Sequence, residues 1–304
     1  FSALCSEWIK IYGEQGLELL IMAAKSSNFL LSDLLPYKNK LDDNGNTEDC
    51  DIYMPKPAII VDRDVDRRYE MSDSVSKKKM KKMTHISIGR INDYLKYLKS
   101  GGKMDFGMDP SEIFAQEQVV RVSRTYEKEP LPYQVASVIF KKDAGLCFIA
   151  KIEDEIKEQF DIVIDSLGTT GIGGKRSSGY GKFELDEDEL EISEEFSVYE
   201  SDRILASMLE KPGKVKVSLS CILPDLEDAS VIAREESYYQ LIMRKGFIYS
   251  SDYSNTNQKK KQLIMLKSGA CLSESIKGSI ADVSDGGNHS VYRYGKGMFL
   301  GVNL

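Results

Sequence analysis

The chain has 304 residues, 41% of them hydrophobic and 29% charged, with a formal net charge of −7; this is length enough for two cored domains and the balance of an ordinary globular protein. No run approaches the roughly 18 apolar residues of a membrane span and no signal-peptide pattern opens the sequence, so a cytoplasmic protein without a membrane partner is expected. Five scattered cysteines (Cys5, Cys50, Cys147, Cys221 and Cys271) form no C-x-x-C pair and read as reduced thiols, and the two distant histidines, His85 and His289, lack a cysteine at ligand spacing, so neither metal nor cofactor is expected.

In chain order, Phe1, Leu4, Cys5, Trp8, Ile9 and Tyr12 share one helical face, so the sequence opens inside a helix. The Pro, Gly and Asn punctuation of 31–61 predicts irregular chain ending in the short apolar run 58–61. Residues 64–83 are polar and charged and are expected to be mobile until a ligand orders them. A short helix follows from Ile91, Tyr94, Leu95 and Leu98, ended by Gly101-Gly102. Two strand-like runs, 118–124 and 133–140, flank a Pro-containing tip at 125–132, and a second hairpin is expected through 142–145 into "LCFIAKI". Ile156, Phe160, Val163 and Leu167 recur at spacings of four, three and four in a helix over about 153–167, and the alternation at 182–185 predicts a strand. Beyond an acidic stretch the chain is β-richer, with "DLEDASVIAREE" as its good helix candidate.

Between helix and strand lies "GTTGIGGKRSSGYGKFEL" (168–185), with six glycines, two lysines, an arginine and four Ser/Thr hydroxyls. Closely spaced glycines let backbone amides converge on an anion, and flanking cations add charge. The triphosphate-loop pattern fails, because Thr169 stands where its first glycine belongs and Arg176 follows the lysine; the dinucleotide pattern fails because Arg176 occupies the third glycine position. Both motifs also need a strand before the loop and a helix after it, and the order here is the reverse.

The charges are segregated. Five lysines fall in the seven residues 77–83, Lys259, Lys260 and Lys261 form a second run, and 186–200 holds eight carboxylates with no base. A solvated surface explains any one run; the segregation adds weight to an anionic ligand on one face and a basic protein partner on another. Hydrolytic motifs such as G-x-S-x-G or H-E-x-x-H are absent. His85 is read as a surface or capping residue in preference to an acid or base for RNA cleavage, and His289 as a turn residue. A metabolite-binding regulator built on the glycine loop is a third class. RNA binding unites more features: glycine loops admit a sugar–phosphate chain, Lys and Arg neutralise it, and Tyr126, Tyr180, Tyr292 or Tyr294 offers rings for unpaired bases. A small glycine and basic cluster, 292–297, closes the chain.

Helix, "GIGGKRSSGYGKFEL" and strand together resemble the glycine-rich loop of the CRISPR RAMP superfamily. More narrowly, the ordered set "FSAL", "MPKP", the Lys-rich stretch, "YQVASVIF", "GGKRSSGYGKFEL" and "VYRYGKGMFLGV" resembles the fourth-subunit family of the type III-A Csm effector complex, over nearly the whole chain. The resemblance implies an α+β fold of two ferredoxin-like, RRM-related domains, 1–190 and 191–304, with a β-hairpin thumb at about 116–133. Family members begin with a strand and loop ahead of the opening helix, so the first strand is expected to be missing from this sequence. The implied function is a non-catalytic subunit gripping the repeat-derived 5′ handle of crRNA, between the Cas10-type large subunit and the third-subunit-type Csm backbone subunit. A RAMP endoribonuclease processing precursor crRNA is the alternative. Gly171, Gly173, Gly174, Lys175, Arg176, Ser177, Ser178, Gly179 and Tyr180 would line the handle, Arg121, Arg124 and Tyr126 belong to the thumb, and Lys77, Lys78, Lys79, Lys81 and Lys82 form an RNA-facing segment. No residue is expected to be catalytic.

Overall fold

The computed structural model describes residues 1–60, 74–101, 103–125, 128–186, 191–193, 195, 197, 199–250 and 252–303. The opening helix α1 (Ser2–Lys25) is kinked at Gly13, whose φ of 70° is closed to most side chains. The short strand β1 (Leu30–Leu31) follows. The hairpin of β2 (Leu35–Leu41) and β3 (Thr47–Pro55) comes next, then α2 (Ser74–Lys82), β4 (His85–Ser87), α3 (Ile91–Ser100) and the single turn α4 (Pro110–Ile113). A long ribbon, β5 (Phe114–Thr125) with β6 (Lys128–Phe140), leads to β7 (Ala144–Cys147), β8 (Ala150–Lys151) and α5 (Asp154–Thr170). The remainder holds α6 (Glu200–Glu210), β9 (Val215–Ser218), α7 (Ala229–Ile232), β10 (Leu241–Arg244), β11 (Leu263–Leu266), β12 (Cys271–Leu272), β13 (Gly278–Asp282), β14 (Tyr292–Lys296) and β15 (Phe299–Val302).

This is a mixed α+β chain of small antiparallel sheets. The largest has the order β4-β3-β2-β7, and a three-stranded sheet has the order β12-β9-β15. Two cores organise them. In the first, the 4-3-4 spacing of α5 buries Ile156, Phe160, Val163 and Leu167 against Leu4, Trp8, Leu20 and Ala24 of α1, with Phe29 between the helices. Each such fully buried large side chain stabilises the fold by roughly 1.5–3 kcal/mol. The second core crosses the chain: Leu35, Met54, Ile86, Ile88 and Phe106 pack with Leu205, Val217, Leu219, Cys271 and Leu300.

Several expectations need correction. Within 31–61, residues 35–55 are not irregular, for β2 and β3 form a hairpin whose polar strands are matched by charge: Lys40 meets Asp49 at 2.8 Å and Asp51 at 3.3 Å; 56–60 are irregular as expected, and 61 lies outside the described residues. The turn carries an Asn44-Gly45 hairpin signal, with Gly45 at φ 85° and the Asp42 carboxylate accepting the N–H of Asn44 and Asn46. The proline tip is shorter than expected, because Pro130 and Pro132 lie within β6. Prolines two residues apart turn their donorless nitrogens to the same edge, and an isolated two-stranded ribbon has a free edge to receive them. The turn at 142–143 is present, but β7 leaves the ribbon and pairs with β2. Residues 182–185 form no strand; the segment folds back along α5, with the Phe183 N–H donating to the Gly168 carbonyl at 3.1 Å. The expected helix in "DLEDASVIAREE" is reduced to Ala229–Ile232, and α6 was not anticipated. Of the polar segment 64–83, Ser74–Lys82 is helical and 64–73 lie outside the described residues; so do 187–190, 194, 196 and 198 of the acidic stretch.

Candidate nucleic-acid interface

The glycine loop begins where α5 ends, at Gly171, whose φ of 79° reverses the chain while its N–H closes the helix on the Leu167 carbonyl at 2.7 Å. Its neck is pinched: the Ile172 N–H donates to the Gly181 carbonyl at 2.9 Å, and Ile172 packs against the α1/α5 core. Gly181, at φ 76°, has no room for a β-carbon, which would run into the Ile172 carbonyl. The tip is open by contrast. Gly173, Gly174, Lys175, Ser177, Ser178 and Gly179 are exposed, and Arg176 and Tyr180 half-buried. Lys175 is held at φ 59°, ψ 26°, the one non-glycine residue at positive φ among the described residues. This left-handed step starts a tight turn in which the amides of Ser178 and Tyr180 donate to the Lys175 carbonyl and that of Gly179 to Arg176. The amides of Gly173 to Ser177 have no protein acceptor among the described residues, and successive free N–H groups around an αR–αL step make a concave anion seat.

The ribbon meets this tip. Arg121 and Tyr133 are cross-strand partners and therefore point to the same face. Arg121 lies over the Tyr180 ring at 5.7 Å and donates from Nη2 to its hydroxyl at 3.1 Å, while the Lys175 ammonium lies 5.0 Å from the Tyr133 ring centroid. Three cations, Arg121, Lys175 and Arg176, thus share a surface with two tyrosine rings, and none of the three has a carboxylate partner among the described residues. Such a surface offers phosphate neutralisation, backbone donors and stacking faces together. Tyr133 was missed from the sequence, where it reads as an alternating strand residue; its register opposite Arg121 is the signal that finds it.

Other expected residues stand apart. Lys78, Lys79, Lys81 and Lys82 are exposed on α2, with no contact to the glycine loop among the described residues; the Lys56 ammonium caps the end of that helix, donating to the Met80 carbonyl at 2.7 Å. The side chains of Lys77 and Arg124, and Tyr126, lie outside the described residues. The terminal cluster is mostly structural. Tyr294 packs on Phe1 and Phe29 and its hydroxyl accepts the Leu31 N–H at 2.9 Å; burial pushes it up to about 12. Lys296 is 5% exposed, its ammonium donating to the Lys25 and Ser26 carbonyls at the end of α1. It caps a helix and is not available to RNA.

His85 is half-buried in β4, its Nδ1 3.0 Å from the Thr84 hydroxyl; burial, then the charge of Lys267, holds it below the usual imidazole range. His289 lies in a turn, 2.9 Å from the Ser250 hydroxyl. All five cysteines are free thiols, and burial pushes Cys50, Cys147 and Cys271 up to about 12, far from reactive thiolates. Among the described residues no helix is long and apolar enough to cross a membrane.

A family model described as the CRISPR Csm4 C-terminal domain matches residues 211–302. "CRISPR system Cms protein Csm4" of Streptococcus thermophilus is 29% identical over 316 residues, covering 100% of this chain and 89% of the relative; its counterpart in Mycobacterium tuberculosis is 28% identical over 311 residues, covering 99% and 88%. Among solved structures, a chain of the Csm3–Csm4 subcomplex of the type III-A interference complex matches with a TM-score of 0.60 at 18% identity, covering 100% of this chain and 92% of that one. A chain of a Csm1–Csm4 cassette with cA4 matches with a TM-score of 0.57 at 16% identity, covering 99% and 89%. These last two likenesses are of fold. The chain is thus similar from end to end to relatives of one name, Csm4, and its residues 211–302 match the Csm4 C-terminal family model.

Proposed function

We propose that the chain is the non-catalytic subunit of the type III-A interference complex that grips the repeat-derived 5′ handle of crRNA and joins the Cas10-type large subunit to the third-subunit-type backbone. The relatives solved as Csm1–Csm4 and Csm3–Csm4 complexes support both protein partners. The observation that carries the RNA reading is the meeting of ribbon and loop, where Arg121 and Lys175 lie against the Tyr180 and Tyr133 rings, with Arg176 next along the loop, beside open backbone amides and with no carboxylate partner among the described residues. Polynucleotide backbone suits this surface better than a single nucleotide, because Gly173 to Lys175 and Ser177 to Gly179 are exposed in succession along the tip. In this reading the ribbon is the thumb, longer than the expected 116–133, and the rest forms two ferredoxin-like units, 1–190 and 191–304. The start of the C-terminal family match at residue 211 supports that division.

The test is handle-RNA binding over a range of salt. Lys175→Ala with Arg176→Ala should weaken binding and flatten the dependence of log affinity on log salt by about 0.7 per lost phosphate contact. Unchanged binding at every salt concentration refutes the reading. Incubation with repeat RNA tests the endoribonuclease: cleavage that disappears in His85→Ala would replace the structural role with a catalytic one.

A further inference from the structure

Three cations far from the glycine loop converge on the C-terminal half. Arg244 ends β10, and two residues later the Gly246 carbonyl accepts the Lys260 N–H at 2.8 Å. The Lys261 N–H donates to the Val283 carbonyl at 2.8 Å, tying this lysine run to the end of β13, where Ala281 lies opposite Arg293 of β14. Arg244, Lys260 and Arg293 are all half-buried, and none forms an ion pair among the described residues. Arg244 Nη2 donates to the Cys221 thiol at 3.0 Å. The carboxylate beyond it, Asp33, is occupied by Cys221, accepting from its thiol at 3.3 Å and its N–H at 3.4 Å.

Like charges held together and half out of water raise the free energy of the unliganded chain, and an anion relieves that cost. Burial first, then the charge of Arg244, lowers Arg293 from its ordinary value; burial first, then Arg293, does the same for Lys260. The chain leaving β10 adds exposed rings. Tyr249 is 88% exposed, and Phe247, 49% exposed, has the Lys259 ammonium 5.9 Å from its centroid. Cations for a phosphodiester with ring faces for bases beside them fit RNA better than an acidic peptide, which would leave the rings unused.

We propose that Arg244, Lys260 and Arg293 form a second phosphodiester-binding site for the same RNA strand, with Phe247 and Tyr249 as stacking rings. This site deepens the handle-binding reading and rests on it. The experiment uses the full-length chain and fluorescent handle RNA titrated at several salt concentrations. Arg244→Gln with Lys260→Gln, two changes that avoid the β14 core, should reduce the salt slope by about 1.4. Arg293→Lys should keep the slope, and RNA carrying 4-thiouridine should cross-link within 244–261. If Lys175→Ala with Arg176→Ala weakens binding while the Arg244/Lys260 pair leaves the slope unchanged and 244–261 uncross-linked, the second site is overturned and handle binding stands. If neither pair has an effect, both readings fall. If the Arg244/Lys260 pair spares RNA but releases a protein subunit from the purified complex, the surface takes an acidic protein segment and the proposal is wrong.

Discussion

Gly174→Ala separates the backbone from the charge in the proposed RNA seat. A β-carbon at Gly174 meets nothing within 4 Å, and the residue does not occupy the left-handed region. Alanine therefore fits the folded chain without strain and removes freedom from the unfolded one, which should stabilise the protein by about 0.4–1 kcal/mol. The same methyl group stands where a phosphate must approach the amides of Gly173 to Ser177. Losing one such hydrogen bond to a charged acceptor costs about 1.5–3 kcal/mol, or a roughly tenfold to hundredfold loss of handle affinity. No charge changes, so the salt slope should match that of the unmodified chain, unlike that of Lys175→Ala with Arg176→Ala. Thermal unfolding and anisotropy titrations at several salt concentrations read both quantities. Full affinity in Gly174→Ala beside weak binding in the Lys175/Arg176 variant would show that RNA touches the cations alone, and the amide seat would be refuted.

Gly181→Ala should behave in the opposite way, destabilising the chain by about 2–3 kcal/mol in chemical denaturation through left-handed strain plus loss of the Ile172–Gly181 hydrogen bond; a wild-type midpoint would contradict the pinched neck. Asp202 in the first turn of α6 is 4% exposed, its Oδ2 has no hydrogen-bond partner among the described residues, and burial, with a smaller contribution from Asp49, raises it above the usual carboxylate range. Its contribution to stability is thus fully present below the unfolded value near pH 4 and lost as pH rises through the folded one. Asp202→Asn should melt higher than the parent at pH 7 and converge with it near pH 4, and a lower melting point at pH 7 would reverse the assignment.

Periodic helices were the most legible features. The 4-3-4 spacing in α5 and the Gly101 stop of α3 are local patterns written by the elements themselves. The β2–β3 hairpin was hidden because Lys38, Lys40, Asp49 and Asp51 read as loop; cross-strand charge pairing makes them a strand, and pairing is not local in sequence. At 182–185 the alternation misled, since no neighbouring strand is there to receive it. The glycine loop was recognisable from composition, but its partner Tyr133 depended on the register of a ribbon whose two strands lie on either side of a turn. The tyrosine and lysine of the terminal cluster looked like ligands for RNA, but Tyr294 anchors Leu31 of β1 and Lys296 closes the end of α1, because burial cannot be read from residue type alone.

The core that crosses the chain has a practical outcome for anyone dissecting this molecule. Val217, Leu219, Cys271 and Leu300 are 0% exposed because Leu35, Met54 and Ile86 lie against them. A fragment cut near residue 190 would present that apolar layer to water on both halves, and each piece should aggregate or swap partners unless supplied with the other. Co-expressed halves should reassemble, and mechanical linkage through this layer would make the ribbon–loop ridge and the β10–β14 surface move as one body when a neighbouring subunit shifts.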